Sequence, residues 1–167
     1  MRTGVLHYVR MVHPVGKTIP EVQQAYLAGF IDGDGAIMAL IERHPAKRFG
    51  CRVRIWVKAT QLRQCDVAWL RDELGVGQVR PSRKCWEWLV KDQSDARWLL
   101  NAIQPYARVK AQQIGLALQI LELRINSIDD VQQLADWADA LAALNVRSRG
   151  RRQNTAAMIQ GFVSRND

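Results

Sequence analysis

Tyr26-Leu27-Ala28-Gly29-Phe30-Ile31-Asp32-Gly33-Asp34-Gly35-Ala36-Ile37 is the stretch whose reading decides the fold. Read as a helix, it places Leu27, Phe30 and Ile31 on one face, spaced to pack into the chain's own core. Ala25, Gly29 and Gly33 fall on another face at four-residue intervals. Small residues at that spacing let two helix backbones approach closely, so this face calls for a partner helix. The helix is expected to stop at the glycines after Phe30, which puts Asp32 and Asp34 at a helix C-terminus. The macrodipole disfavours carboxylates there. If the partner is the same helix of a second copy, two Asp34 side chains meet near a two-fold axis, and divalent cations are the natural compensation. The carbonyl of Gly33, at the helix end, is a further oxygen ligand. An EF-hand loop starting at Asp32 is excluded, because Ala36 and Ile37 stand where it needs an acidic residue or Asn and a glycine. A plain Asp-Gly turn would leave the Gly29/Gly33 face without a reason.

On the N-terminal side, Thr18-Ile19-Pro20-Glu21 predicts the helix start, with Thr18 as N-cap. On the C-terminal side two strands follow. Over residues 36–44, Ile37, Ala39 and Ile41 alternate with Met38, Leu40, Glu42 and His44. Over residues 51–58, Cys51, Val53, Ile55 and Val57 alternate with Arg52, Arg54, Trp56 and Lys58. A helix is expected over residues 63–74, then a short hairpin from strands at 78–80 and 85–90. The rest reads as helical: residues 94–103, 109–123, a segment capped by Ser127 with Asp130 three residues on, and a last one near 155–163. The order αββαββ followed by helices predicts an α+β domain over residues 19–167, preceded by an extension of about 18 residues.

Composition sets the partner class. The 167 residues include six Trp and are 48% hydrophobic, enough for one folded core. No apolar run approaches the ~20 residues that span a bilayer. There is no signal peptide, so an intracellular place is expected: the cytoplasm of a prokaryote, or an organelle. The formal charge of +8 points to nucleic acid. Eighteen of the 24 basic residues are Arg, which suits bidentate contacts with phosphate and guanine and is equally explained by a GC-rich coding sequence. Cys51, Cys65 and Cys85 show neither CxxC nor zinc spacing and read as reduced. In Arg147-Ser148-Arg149-Gly150-Arg151-Arg152, a solvated charged loop and a phosphate clamp both fit.

The segment reading LAGFIDGDG resembles the motif of the LAGLIDADG homing endonucleases. Gly75-Val76-Gly77, Gln104-Pro105, the helix from Lys110 and the stretch from Trp137 to Asn145 are similar to the single-motif, homodimeric branch of that family. The resemblance covers roughly residues 20 to 163. It implies an αββαββα fold whose antiparallel, saddle-shaped sheet carries helices on one face. It also implies an intron-encoded enzyme that hydrolyses both strands of a long, near-palindromic duplex, with Mg²⁺ or Mn²⁺ as cofactor and short 3′ overhangs as product. By the same resemblance Asp34 binds the metal, Gln61 positions the water nucleophile, and Lys110 stabilises charge on the phosphate. Asp32 is expected to cap or hydrogen-bond near the dimer interface, formed with Ala25, Gly29 and Gly33. The outward strand face, Met38, Leu40, Glu42, His44, Arg52, Arg54, Trp56, Lys58, Arg80, Ser82 and Glu87, is implied to enter the major groove. Arg108, Arg147, Arg149 and Arg151 are implied to contact phosphates.

One departure stands out. The family often carries a second basic residue four positions after the Gln, and here that position is Cys65; Arg63 is the nearest substitute. Two rivals share the scaffold: an RNA-splicing maturase that binds intron RNA, and a DNA-binding protein that has lost cleavage. A single motif in a chain of this length predicts the homodimer, because Asp32-Gly33 and Asp34-Gly35 are the only Asp-Gly pairs.

Overall fold

Helix α1 (Glu21–Asp34) runs into strand β1 (Gly35–Arg43) without a connecting loop. The junction needs glycine at 35, where a Cβ would lie 2.6 Å from the carbonyl oxygen of Ile31. The computed structural model describes residues 18–145 and 155–159. Two details of α1 differ from expectation. Its N-cap is Pro20, with no side-chain cap, and Thr18 lies in an extended bridge. A residue before proline is pushed out of the helical region, so the helix cannot begin earlier. At its other end α1 continues through Gly33 to Asp34, and Gly33 is not among the positive-φ glycines. Glycine inside a helix costs about 1 kcal/mol against alanine. Full burial of Leu27, Ala28 and Ile31 offsets it. Phe30, expected in the core beside Leu27 and Ile31, is half-buried, stacks on Tyr26 and meets the Trp69 ring edge to face.

Strand β2 (Cys51–Gln61) pairs antiparallel with β1, Met38 opposite Trp56 and Glu42 opposite Arg52. Helix α2 (Cys65–Leu74) ends on Gly75 in the left-handed conformation, and β3 (Gln78–Ser82) and β4 (Cys85–Val90) form the second hairpin. At Gly77 a Cβ would strike the Trp88 ring, which donates its N–H to the Val76 carbonyl at 2.8 Å. The sheet order is β1-β2-β4-β3, all antiparallel. Pro81 is tolerated because β3 is an edge strand.

Helices α3 (Gln93–Ile103), α4 (Ala111–Glu122) and α5 (Ile128–Leu144) pack on the sheet. Ile37, Ala39, Ile41, Ile55, Val57, Ala59, Trp88 and Val90 face them and form the core with Leu99, Leu100, Ile114 and Leu141. Beyond the end of β4, the edge of β2 is closed by a side chain. Gln93 accepts the Ile55 N–H at 2.8 Å and donates to the Ile55 carbonyl at 2.9 Å. The Ser127/Asp130 capping box opens α5 as expected. A short 3₁₀ turn at Ala156–Met158 lies within the last expected helix. No helix among the described residues is long and apolar enough to cross a membrane.

Candidate active site and nucleic-acid interface

The last turn of α1 divides its two carboxylates between two tasks. Asp32 is consumed inside the chain. Its oxygens accept the backbone N–H groups of Arg108 at 2.7 Å, Val109 at 3.1 Å and Lys110 at 2.9 Å. Lys110 is the N-cap of α4 and offers no side-chain cap of its own. Asp32 therefore caps α4 from a distance, satisfying donors that a helix start leaves unpaired. The Lys110 ammonium closes the loop by donating to the Asp32 backbone carbonyl.

Burial pushes the Asp32 carboxyl up, but the amides of Arg108, Lys110 and Val109 and the Lys110 charge outweigh it, and the net effect holds it below the ordinary carboxylate range. The sign follows: this contribution to stability is whole above pH ~4 and is lost as pH falls through the lower folded-state value. Asp32→Ala is expected to cost about 1–2 kcal/mol of unfolding free energy at neutral pH. In urea melts at pH 7 and pH 3, the gap between wild type and variant should shrink in acid.

Asp34 points elsewhere. Its carboxylate is exposed and accepts a hydrogen bond from the Gln61 side-chain amide at 2.7 Å. Gln61 is the last residue of β2, which places it beside the end of α1. The structure thus brings Asp32, Asp34, Gln61 and Lys110 together from α1, β2 and the start of α4. Arg63 is not part of that group. Its guanidinium is held by Asp66 through two bonds of 2.9 Å, and that carboxylate raises its pKa. Cys65 is exposed at the start of α2, its thiol 3.5 Å from the Asp66 carboxylate.

The donors near Asp34 are hard oxygens, its carboxylate and the carbonyls of the last helical turn, which suits Mg²⁺-type cations. One chain supplies too few. Among the described residues no three His, Cys, Asp or Glu side chains cluster as a metal site. What would complete the site is suggested by the face beside it. Ala25, Gly29 and Gly33 are exposed, with nothing within 4 Å of a Cβ built on either glycine. Val22 and Tyr26 extend this surface, 84% and 60% exposed.

The outward sheet face carries Met38, Leu40, Glu42, Arg52, Arg54, Trp56, Lys58, Arg80, Ser82 and Glu87 as expected, with much of its charge already paired. Arg52 bonds Glu42 at 2.8 Å, and Arg54 donates to the Lys91 carbonyl at 2.6 Å. Glu87 is only 3% exposed and holds Arg80 at 2.6 Å and Lys58 at 3.6 Å. Residues of this face that escape the sequence reading include Thr60, Gln78, Leu89 and Lys91. Thr60 and Gln78 continue the alternation through Lys58 and Arg80 and were within reach of it. Lys91 follows β4, and its ammonium lies 4.4 Å above the Trp56 ring. His44 is half-buried at the end of the β1–β2 hairpin, where its backbone N–H donates to the Gly50 carbonyl. Arg108 is exposed at the foot of α4. Arg147, Arg149 and Arg151 lie outside the described residues.

No family model matches the sequence. DNA endonuclease I-CreI of Chlamydomonas reinhardtii is 33% identical over 125 residues, which span 72% of this chain and 77% of that protein. This chain belongs to the LAGLIDADG homing endonucleases. I-CvuI, solved in complex with the I-CreI target in the presence of Mg, is 25% identical and aligns with a TM-score of 0.77 over 87% of this chain and 95% of its own. The archaeal intron-encoded I-Vdi141I, solved with DNA, aligns at 0.75 over 88% of this chain and 98% of its own; at 18% identity it bears on the fold. In the LAGLIDADG frame the motif is the second half of α1, and the strands that follow it form the four-stranded antiparallel sheet of the expected αββαββα fold.

Proposed function

We propose that two copies of this chain form a site-specific homing endonuclease that cuts both strands of a long, near-palindromic DNA duplex. The observation that carries this reading is the exposed Asp34–Gln61 pair beside the bare Gly29/Gly33 face. A two-fold contact of α1 helices through that face brings two Asp34 carboxylates together, supplying the oxygen ligands that one chain lacks. Relatives solved with target DNA in the presence of Mg or Ca support a divalent cation in the reaction. Mg²⁺ or Mn²⁺ is the cofactor we assign. When bound, such an ion polarises the phosphate and acidifies a coordinated water.

The chain's own residues supply the rest. Asp34 and the Gly33 carbonyl hold the cation. The Gln61 amide, fixed by Asp34, orients the water for in-line attack. Lys110, anchored at the end of α1, sets positive charge beside the phosphate as negative charge grows on it. The outward faces of the two sheets lie in the major groove. Arg108 and the arginines of residues 147–151 contact phosphates, and the enzyme acts where its host DNA lies, in a prokaryotic cytoplasm or an organelle.

The test is selection of cleaved duplexes from a randomised half-site library with Mg²⁺ and, separately, Mn²⁺. Discrete near-palindromic products support the reading. Sequence-specific binding without cutting, in either metal, would replace it with a non-cleaving DNA-binding protein. Tight binding of intron RNA that exceeds DNA affinity would replace it with a maturase. Binding should also fall steeply with salt, by about 10³-fold or more between 50 and 200 mM for six or more phosphate contacts. A flat titration of affinity against salt would remove the phosphate-clamp role of the arginines.

A further inference from the structure

The outward face of β1 and β2 is zoned. At its far end stands the Glu42–Arg52 ion pair, and at the end near Asp34 stand Lys58 and Arg80, both held by Glu87. Between them lies an apolar patch. Met38 faces Trp56 across the strands, Leu40 is the next outward residue of β1, and all three are half-buried. Trp56 is fixed in place: the Lys91 ammonium lies over its ring, and its indole nitrogen is buried with no acceptor. The ring therefore offers carbon, and not its N–H, to whatever covers the face. Leu40 stands opposite Arg54, whose guanidinium is drawn to the Lys91 carbonyl.

In the major groove the base edges are mainly polar, and the bulkiest apolar group they present is the C5-methyl of thymine, where cytosine has only a hydrogen. Pressing Met38, Leu40 and Trp56 against the amino or carbonyl edges of other bases would desolvate those edges without a partner. We propose that this patch reads thymine methyl groups, so that each half-site carries thymine at the base steps it covers. The proposal rests on the major-groove reading above. Along β1 Met38 and Leu40 lie four and six residues beyond Asp34. At about 3.4 Å per residue and per base step, this places the thymines roughly four to six steps outward from the scissile phosphate.

The probe is the duplex selected from the half-site library, with each thymine replaced in turn by deoxyuridine. That exchange removes the methyl and keeps every hydrogen-bonding group. Relative kcat/KM is read by competitive cleavage with the wild-type protein. A loss of about three- to fivefold is expected for each methyl in that window, the scale of one buried carbon, and none outside it. Met38→Ser combined with Leu40→Ser should abolish the uracil penalty. The proposal is overturned if selection returns no thymine in the window, or if uracil is as well tolerated there as elsewhere. Specific cutting that ignores the methyls sinks this inference alone. Failure to select any sequence at all sinks the endonuclease reading first.

Discussion

Asp34→Asn is expected to abolish cleavage, by at least ~10³-fold, while DNA affinity changes little. The reasoning starts from what the side chain touches. Among the described residues its hydrogen bond is to the Gln61 amide, and its carboxylate is exposed. Asparagine keeps the size and one oxygen, so Gln61 can still donate to it. What is lost is the charge that holds a divalent cation, and a metal-activated water is worth several kcal/mol of barrier. Asp32 provides the internal contrast, because its loss acts on stability through the start of α4. Single-turnover cleavage beside a binding titration separates the two effects. A variant that cuts at near wild-type rate would show that Asp34 is not the metal ligand.

Gly29→Leu should break the dimer. Among the described residues nothing lies within 4 Å of a Cβ built there, so a side chain can leave this exposed helix face without strain, and leucine improves helix propensity over glycine. A folded monomer is therefore expected, with unchanged circular dichroism and an equal or higher Tm. Across a close contact of two α1 helices, however, two leucines enter at once. Overpacking of about 1–3 kcal/mol at each predicts that dimer affinity falls by about thirtyfold or more. Cleavage should fall with it, since each chain brings one Asp34. Sedimentation at low protein concentration reads the outcome directly. A dimer of unchanged mass and affinity would place the interface on another face of the molecule.

The strands were the most legible part of the chain. Alternation in a half-exposed sheet is a local property, and Ile37, Ala39 and Ile41 are buried as that pattern demands. The hairpin strand Cys85–Val90 and the Ser127/Asp130 box were likewise written in neighbouring residues. The errors arose where local rules met packing. Thr18 has a capping side chain, but Pro20 imposes an extended approach. Gly33 reads as a stop, yet burial of Ile31 carries the helix past it.

Within the candidate site, Asp34 was named from the motif and Gln61 from the family resemblance, and the structure sets the two in hydrogen-bond contact. The bond from Asp32 to the Arg108 amide spans 76 positions and has no local signature. Nor does the burial of Glu87 between Arg80 and Lys58. Arg63 is the reverse case: its partner is three residues away and was open to inspection.

The absence of a loop between α1 and β1 makes the chain a ruler. Helix α1 and strand β1 are joined through one peptide bond at Asp34–Gly35, and Gly35 is pressed against Ile31 with no slack. In the proposed enzyme, the offset between the cut and the first base read is then set by covalent geometry and not by the identity of the bases. Exchanging outward side chains on β1 and β2 should change which sequence is chosen and leave the stagger of the cut ends untouched. Inserting a single residue at the junction would go further. It would turn every β1 side chain to the wrong face of the sheet and lose recognition and register together.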